Sequence, residues 1–303
     1  MLTGKVTARD DLPSSVVQLE RILVATDFSA GARAALDFTR GIAGHFASKV
    51  YLVHVIPAGV LHYVSPERSE EVIRQAKTFA AGEMQRLLRD SGCDGSVQTE
   101  ILCGGGIWPL LQEFIKTNAI DLLVLGTHGR TSAQKQLLGP VAEEIFRLAN
   151  CPILTVGSRA GKPTTTRAEV QRILYATNFK PHAERAAPFA HTMEREHGAQ
   201  LSVLHVVEDA QISQVSGQDI VSEFMIRRMR KGLPRECAGK CEPEFLVRFG
   251  DAAEQILQAA RELQSDLIIL GLRAGKYAAG ELPSAVAYKL VCQSACPVLT
   301  TRQ

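Results

Sequence analysis

Short apolar runs of four to eight residues, rich in Val, Ile and Leu, alternate along this chain with longer stretches in which apolar side chains recur every three or four positions. Runs apolar on both faces suit buried parallel strands, and the longer stretches suit amphipathic helices. The pattern predicts strands around 21–26, 49–56, 97–102, 121–125 and 152–156, with helices around 30–47, 66–90, 107–118 and 138–149 between them.

The pattern then repeats. "RILVATDFSAGARAALDFTR" from Arg21 returns as "RILYATNFKPHAERAAPFAH" from Arg172, "VYLVHVI" returns as "LSVLHVV", and "CPILTV" returns as "CPVLTT". The second copy predicts strands around 172–177, 200–207, 243–248, 266–270 and 297–301, with a shorter second helix near 219–231. A tandem duplication follows. The expected organisation is an N-terminal tail (1–18), a first domain (19–157), a polar Gly, Pro and Thr-rich linker (158–170) and a second domain (171–303).

Alternating strands and helices joined by right-handed crossovers imply an α/β protein of two doubly wound parallel five-stranded sheets, each in the order 3-2-1-4-5. The two domains are expected to pack as an internal pseudo-dimer, with further homodimerisation open. In such a sheet the switch point lies between strands 1 and 4. "TDFS" and "GTHG" therefore face one crevice.

Charge narrows the partners. The 34 basic and 32 acidic residues leave a net charge of +2, which gives no electrostatic case for nucleic acid or an anionic membrane. No run approaches a membrane span, and seven cysteines in 303 residues do not resemble a secreted disulfide framework. The expectation is a soluble cytoplasmic protein with reduced thiols.

Candidate chemistry concentrates at the first crevice. In "GTHGRTSAQKQLLGP", Gly126, Gly129 and Gly139 leave backbone open to an anion, and the helix that follows offers its positive end. Asp27 has two readings: acceptor for an adenine amino group or ribose hydroxyls, or helix cap together with Ser29. His54 and His205 read as hydrogen-bonded core residues, and His128 as a solvent-exposed loop residue. "CGGGIWP" after strand 3 reads as a tight turn. Cys237 and Cys241, or Cys292 and Cys296, have the wrong spacing for a zinc ribbon, and Cys151 and Cys296 read as packing residues.

"ILVATDFS", "VYLVHVI", the spacing of Gly126, Gly129 and Gly139 and "VAEEIFRLANCPILTV", with their second-copy counterparts, make the chain resemble the tandem members of the universal stress protein family. The resemblance implies ATP held by Asp27, Val55, Gly126, Gly129 and Gly139, with Mg²⁺ able to accompany it. A hydroxyl residue expected after the last glycine is replaced by Pro140, which has neither hydroxyl nor N–H. Arg130 is the candidate cation to compensate. In the second copy Asn178 replaces the acid, and Ala274 and Ser284 replace two glycines, so binding is expected in domain 1 only.

No general base, nucleophile or metal-binding carboxylate cluster is arranged by spacing, so the expectation is a cytoplasmic stress-response module that binds an adenine nucleotide without being an enzyme, beyond slow incidental hydrolysis. Its protein partners cannot be read from sequence. The rival expectation is a ligand-free scaffold acting through protein contacts. A third is a thiol redox sensor at Cys237 and Cys241.

Overall fold

The computed structural model describes residues 17–61, 65–93, 95–127, 137–157, 170–208, 218–233, 242–273 and 284–302. In repeat one the elements are β1 (Arg21–Ala25), α1 (Ala30–Phe46), β2 (Lys49–Pro57), α2 (Pro66–Asp90), β3 (Val97–Gly104), α3 (Ile107–Thr117), β4 (Leu122–Gly126), α4 (Pro140–Leu148) and β5 (Ile153–Val156). Repeat two has β6 (Arg172–Ala176), α5 (Pro181–Glu184), α6 (Ala187–His197), β7 (Gln200–Val207), α7 (Gln218–Gly232), β8 (Glu244–Phe249), α8 (Ala252–Glu262), β9 (Leu267–Leu272), α9 (Ala285–Gln293) and β10 (Val298–Arg302).

Each repeat has the expected strand order, but the two halves share one ten-stranded sheet, β3-β2-β1-β4-β5-β10-β9-β6-β7-β8. The expectation of two separate sheets is refined at this point. The last strands of the repeats pair antiparallel, with Val298 opposite Thr155, Leu299 opposite Leu154 and Thr300 opposite Ile153. Edge strands carry unpaired N–H and C=O groups, and joining the two edges satisfies both. All other pairings are parallel.

Successive residues of β1 go to opposite faces of the sheet. Ile22 and Val24 join an apolar cluster with Leu36 of α1 and Met84 of α2, and this cluster runs on into Met193 of α6 and Met229 of α7. Leu23 joins the other cluster, with Leu111 of α3, Phe146 of α4, Ile256 of α8 and Leu290 of α9. Both faces are covered, which explains why the strands read as continuous apolar runs rather than as alternating ones.

One helix departs from the repeat. The first helix of repeat one is continuous, whereas its counterpart breaks between α5 and α6. Pro188 cannot donate to the carbonyl one turn back, and the Tyr175 hydroxyl, in the place of Val24, donates to the Ala183 carbonyl at 2.7 Å. The Ala186 N–H closes a tighter turn onto that same carbonyl at 2.9 Å. Burial pushes the Tyr175 hydroxyl up to about 12, so it stays a donor.

Candidate functional site

The chain leaves β1 through Thr26, Asp27, Phe28 and Ser29, and their side chains build the turn. Thr26 Oγ1 accepts from the Phe28 N–H at 3.0 Å, Asp27 Oδ1 accepts from the Ser29 N–H at 3.0 Å, and Ser29 Oγ caps α1 by accepting from the Ala32 N–H at 3.2 Å. Asp27 thus makes a local Asx turn while Ser29 does the capping. Its exposed carboxylate stands at the rim of the crevice.

Phe28 has φ of 63°, in the left-handed region, which costs an L-residue about 1–2 kcal/mol. Its ring lies 4.4 Å from that of His54, whose Nδ1 is 2.8 Å from the Thr26 carbonyl. A carbonyl only accepts, so Nδ1 carries the proton. His54 is therefore hydrogen-bonded, as its sequence context suggested, and it braces the turn. Repeat two has the same device: Phe179 at φ 57°, stacked 4.4 Å from His205, whose Nδ1 is 2.8 Å from the Thr177 carbonyl. Burial holds the His205 imidazole below its ordinary range, which favours the neutral form. Sequence reasoning missed the Phe–His stack, although the paired recurrence of Phe28 with His54 and Phe179 with His205 was the available signal.

Between β1 and β4 lies a cavity of about 380 Å³. Val53, Val55, Leu111, Leu125 and Ile145 give it apolar walls, and Asp27, Gly126 and the first residues of α4 border it. Of the residues singled out in the sequence, the fold brings Asp27, Val55, Gly126 and Gly139 to this one space. His128, Gly129 and Arg130 lie outside the described residues, as do Cys237, Cys241 and Ala274.

The glycines have different duties. A methyl group on Gly126 would stand 2.5 Å from the Gly31 carbonyl carbon and 2.8 Å from the Ala32 nitrogen. Glycine is required there because α1 presses onto the end of β4, whether or not a ligand is present. Gly271 is held the same way, with the His182 carbonyl oxygen 1.8 Å from where a Cβ would be. Gly139 is the N-cap of α4 and has an ordinary backbone, φ −63°. Its N–H donates to the Thr127 carbonyl at 3.1 Å.

Pro140 occupies the first position of α4, where proline removes an N–H that the helix would not use anyway. The next two N–H groups, on Val141 and Ala142, belong to the first turn, and both residues line the cavity. Its N-cap, Gly139, has no side chain to cap this turn. The matching helix α9 differs, because Ser284 accepts from the Ala287 N–H at 3.2 Å and satisfies its own helix start. Asn178 keeps the turn geometry of Asp27, accepting from the Lys180 N–H at 3.1 Å, without its charge.

The remaining motifs resolve as structure. Gly104, at φ 145°, ends β3, and Gly106 caps α3, so the glycine run is a strand-to-helix turn. Cys151 and Cys296 are pushed up to about 11 by burial. Among the described residues no group of three or more His, Cys, Asp or Glu side chains could hold a metal ion, and no helix is long and apolar enough to cross a membrane.

Two doubly wound repeats sharing one sheet, with a crevice at the switch point of the first, define a tandem flavodoxin-like α/β protein. The sequence model of the Universal stress protein family matches residues 18–157 and 169–302, and the chain belongs to that family. A universal stress protein of Thermus aquaticus is 35% identical over 143 residues, covering 43% of this chain and 97% of its relative. One from Mycobacterium tuberculosis (strain H37Rv) is 25% identical over 215 residues, 69% of this chain and 70% of the relative. The crystal structure of a universal stress protein from Archaeoglobus fulgidus superposes with a TM-score of 0.67 at 19% identity, covering 94% of this chain and 99% of that one, which is a likeness of fold.

Proposed function

We propose that the crevice of repeat one binds an adenine nucleotide, and that repeat two is a degenerate copy that does not. The observation that carries this reading is the cavity of about 380 Å³ bordered by Asp27, Val55, Gly139 and the start of α4, whose N-cap is a glycine. Its apolar walls suit a purine, the Asp27 carboxylate suits hydroxyl or amino donors, and the α4 N–H groups with their positive helix end suit phosphates. Gly129 and Arg130 complete the phosphate side in this reading, and Mg²⁺ accompanies the nucleotide. In repeat two the neutral Asn178 and the self-capped Ser284 remove the two features that favour a nucleotide.

On this reading the protein is a cytoplasmic stress-response module with domains at 19–157 and 171–303, and it binds without turnover. Calorimetric titration of ATP with Mg²⁺ into the purified chain tests it. One site per chain, lost in Asp27→Ala and Gly129→Arg, is the expected result; no heat up to millimolar ATP overturns it. In that event the scaffold reading takes its place, and the exposed Leu137 and Val141 beside the crevice are the observation in its favour.

A further inference from the structure

The repeats also meet through α4 and α9. The Tyr288 hydroxyl of α9 donates to Glu143 Oε2, in the first turn of α4, at 3.4 Å. These residues hold the same position in their repeats: Glu143 is separated from Tyr288 by the same number of residues as Gly126 from Gly271, Gly139 from Ser284 and Cys151 from Cys296. Contacts between equivalent positions arise on a two-fold axis, where a dimer of identical chains would set like against like. Two glutamates facing each other would repel. A duplicated chain escapes that constraint, and here one copy carries the acceptor and the other the donor.

Tyr288 reaches further than Glu143. The Leu138 backbone lies beside the Tyr288 hydroxyl and the Cys292 thiol, one turn along α9, and favours the ionised form of each. Cys292 is buried, and burial pushes its thiol up, which keeps it protonated and unreactive. Leu138 is itself buried and precedes Gly139. Gly139 in turn donates to the Thr127 carbonyl at 3.1 Å and accepts from the Glu143 N–H at 2.8 Å.

The segment that leads into α4 is thus tied on one side to the exit of β4 and on the other to a helix of the opposite repeat. We infer that Tyr288 is a positioning residue that repeat two contributes to the crevice of repeat one, fixing Gly139 and the first turn of α4 at the phosphate side through Glu143. The ligand in this inference rests on the nucleotide reading above; the contact does not. The degenerate repeat thereby keeps a role, since it braces a site that it no longer contains.

The test is amide hydrogen exchange and ATP titration on the full chain, comparing wild type, Tyr288→Phe, Glu143→Gln, Glu143→Leu and the Tyr288→Phe/Glu143→Leu pair. Phenylalanine keeps the ring and removes only the hydroxyl. The expected result is about tenfold faster exchange at residues 138–142 and ATP binding weakened by about three- to tenfold, the scale of one lost hydrogen bond. Glu143→Gln keeps an acceptor and behaves as wild type, and the double variant is no worse than Tyr288→Phe alone. Unchanged exchange and affinity in Tyr288→Phe overturns the inference. So does faster exchange spread evenly through α9 with a matching fall in melting temperature, because that is loss of packing. If wild type takes no ATP while Tyr288→Phe still loosens residues 138–142 selectively, the positioning stands and the nucleotide reading fails.

Discussion

The guanidinium of Arg302, on the last strand of repeat two, donates to the carbonyls of Arg147 and Ala149 at 2.9 and 2.8 Å and so caps the end of α4 in repeat one. The side chain is almost wholly buried and lies 5.3 Å from the centre of the Phe146 ring. A cation at a helix C-terminus meets the negative end of its dipole, and a buried setting strengthens that attraction. Arg302→Met keeps most of the volume but leaves both carbonyls without this donor. A loss of about 2–3 kcal/mol is expected from urea denaturation, with Arg302→Lys recovering only part of it.

Gly126 and Gly139 separate stability from binding. Gly126→Ala forces a methyl into the backbone of α1 and is expected to cost about 1–3 kcal/mol, seen as a lower melting temperature without ligand. Gly271→Ala should cost at least as much. Gly139→Ala, at an ordinary N-cap conformation, should leave the melting temperature within a few degrees while weakening ATP binding.

Asp27→Asn converts the turn of repeat one into that of repeat two. Asn178 shows that an amide supports the same i to i+2 hydrogen bond, so thermal stability should be unchanged. Removal of the charge should weaken ATP binding by about ten- to a hundredfold in calorimetry, the scale of one charge-assisted hydrogen bond. Equal affinity in the variant would show that Asp27 only shapes the loop.

His197, at the end of α6, stacks 4.0 Å from His45 of α1, so the contact crosses between repeats. Burial, followed by the His45 charge, holds its pKa down at about 4 against an ordinary 6.5, while Glu196 opposes the shift. Among the described residues neither ring nitrogen of His197 has a hydrogen-bond partner. Below pH 6.5 the unfolded chain takes up a proton that the folded chain refuses. The stabilisation is full above about pH 6.5 and is lost as pH falls towards 4. His197→Phe, which copies the residue at the matching position Phe46, should flatten stability against pH over that window by on the order of 2 kcal/mol, measured by urea denaturation at pH 7 and pH 4.5.

Much of this architecture is legible in the chain. "RILVA" and "RILYA" became β1 and β6, and the loops after strands 1 and 4 meet where the strand order reverses. Asp27, Val55 and Gly126 could be placed at one crevice because each sits near a strand end, and Gly139 because it opens the helix after strand 4. Two roles could not be read. Gly126 is read as a ligand contact and does border the cavity, but its missing side chain is also demanded by Gly31 and Ala32, about 95 residues earlier in the chain. Pro140 reads as the loss of a hydroxyl and an N–H, and what the sequence does not show is that at the first position of a helix it leaves the N–H groups of Val141 and Ala142 in place.

The sequence by itself determined the elements, their order within each repeat and the doubling, because burial periodicity and turn chemistry act over a few residues. Only the tertiary structure decided that β5 and β10 join two sheets into one, that Arg302 caps a helix of the other repeat and that Tyr288 faces Glu143. Those contacts link residues about 145 to 155 positions apart. No local period records which edges and helix ends meet across a two-fold axis; that depends on which unpaired backbone and buried polar groups the assembled halves leave to be satisfied.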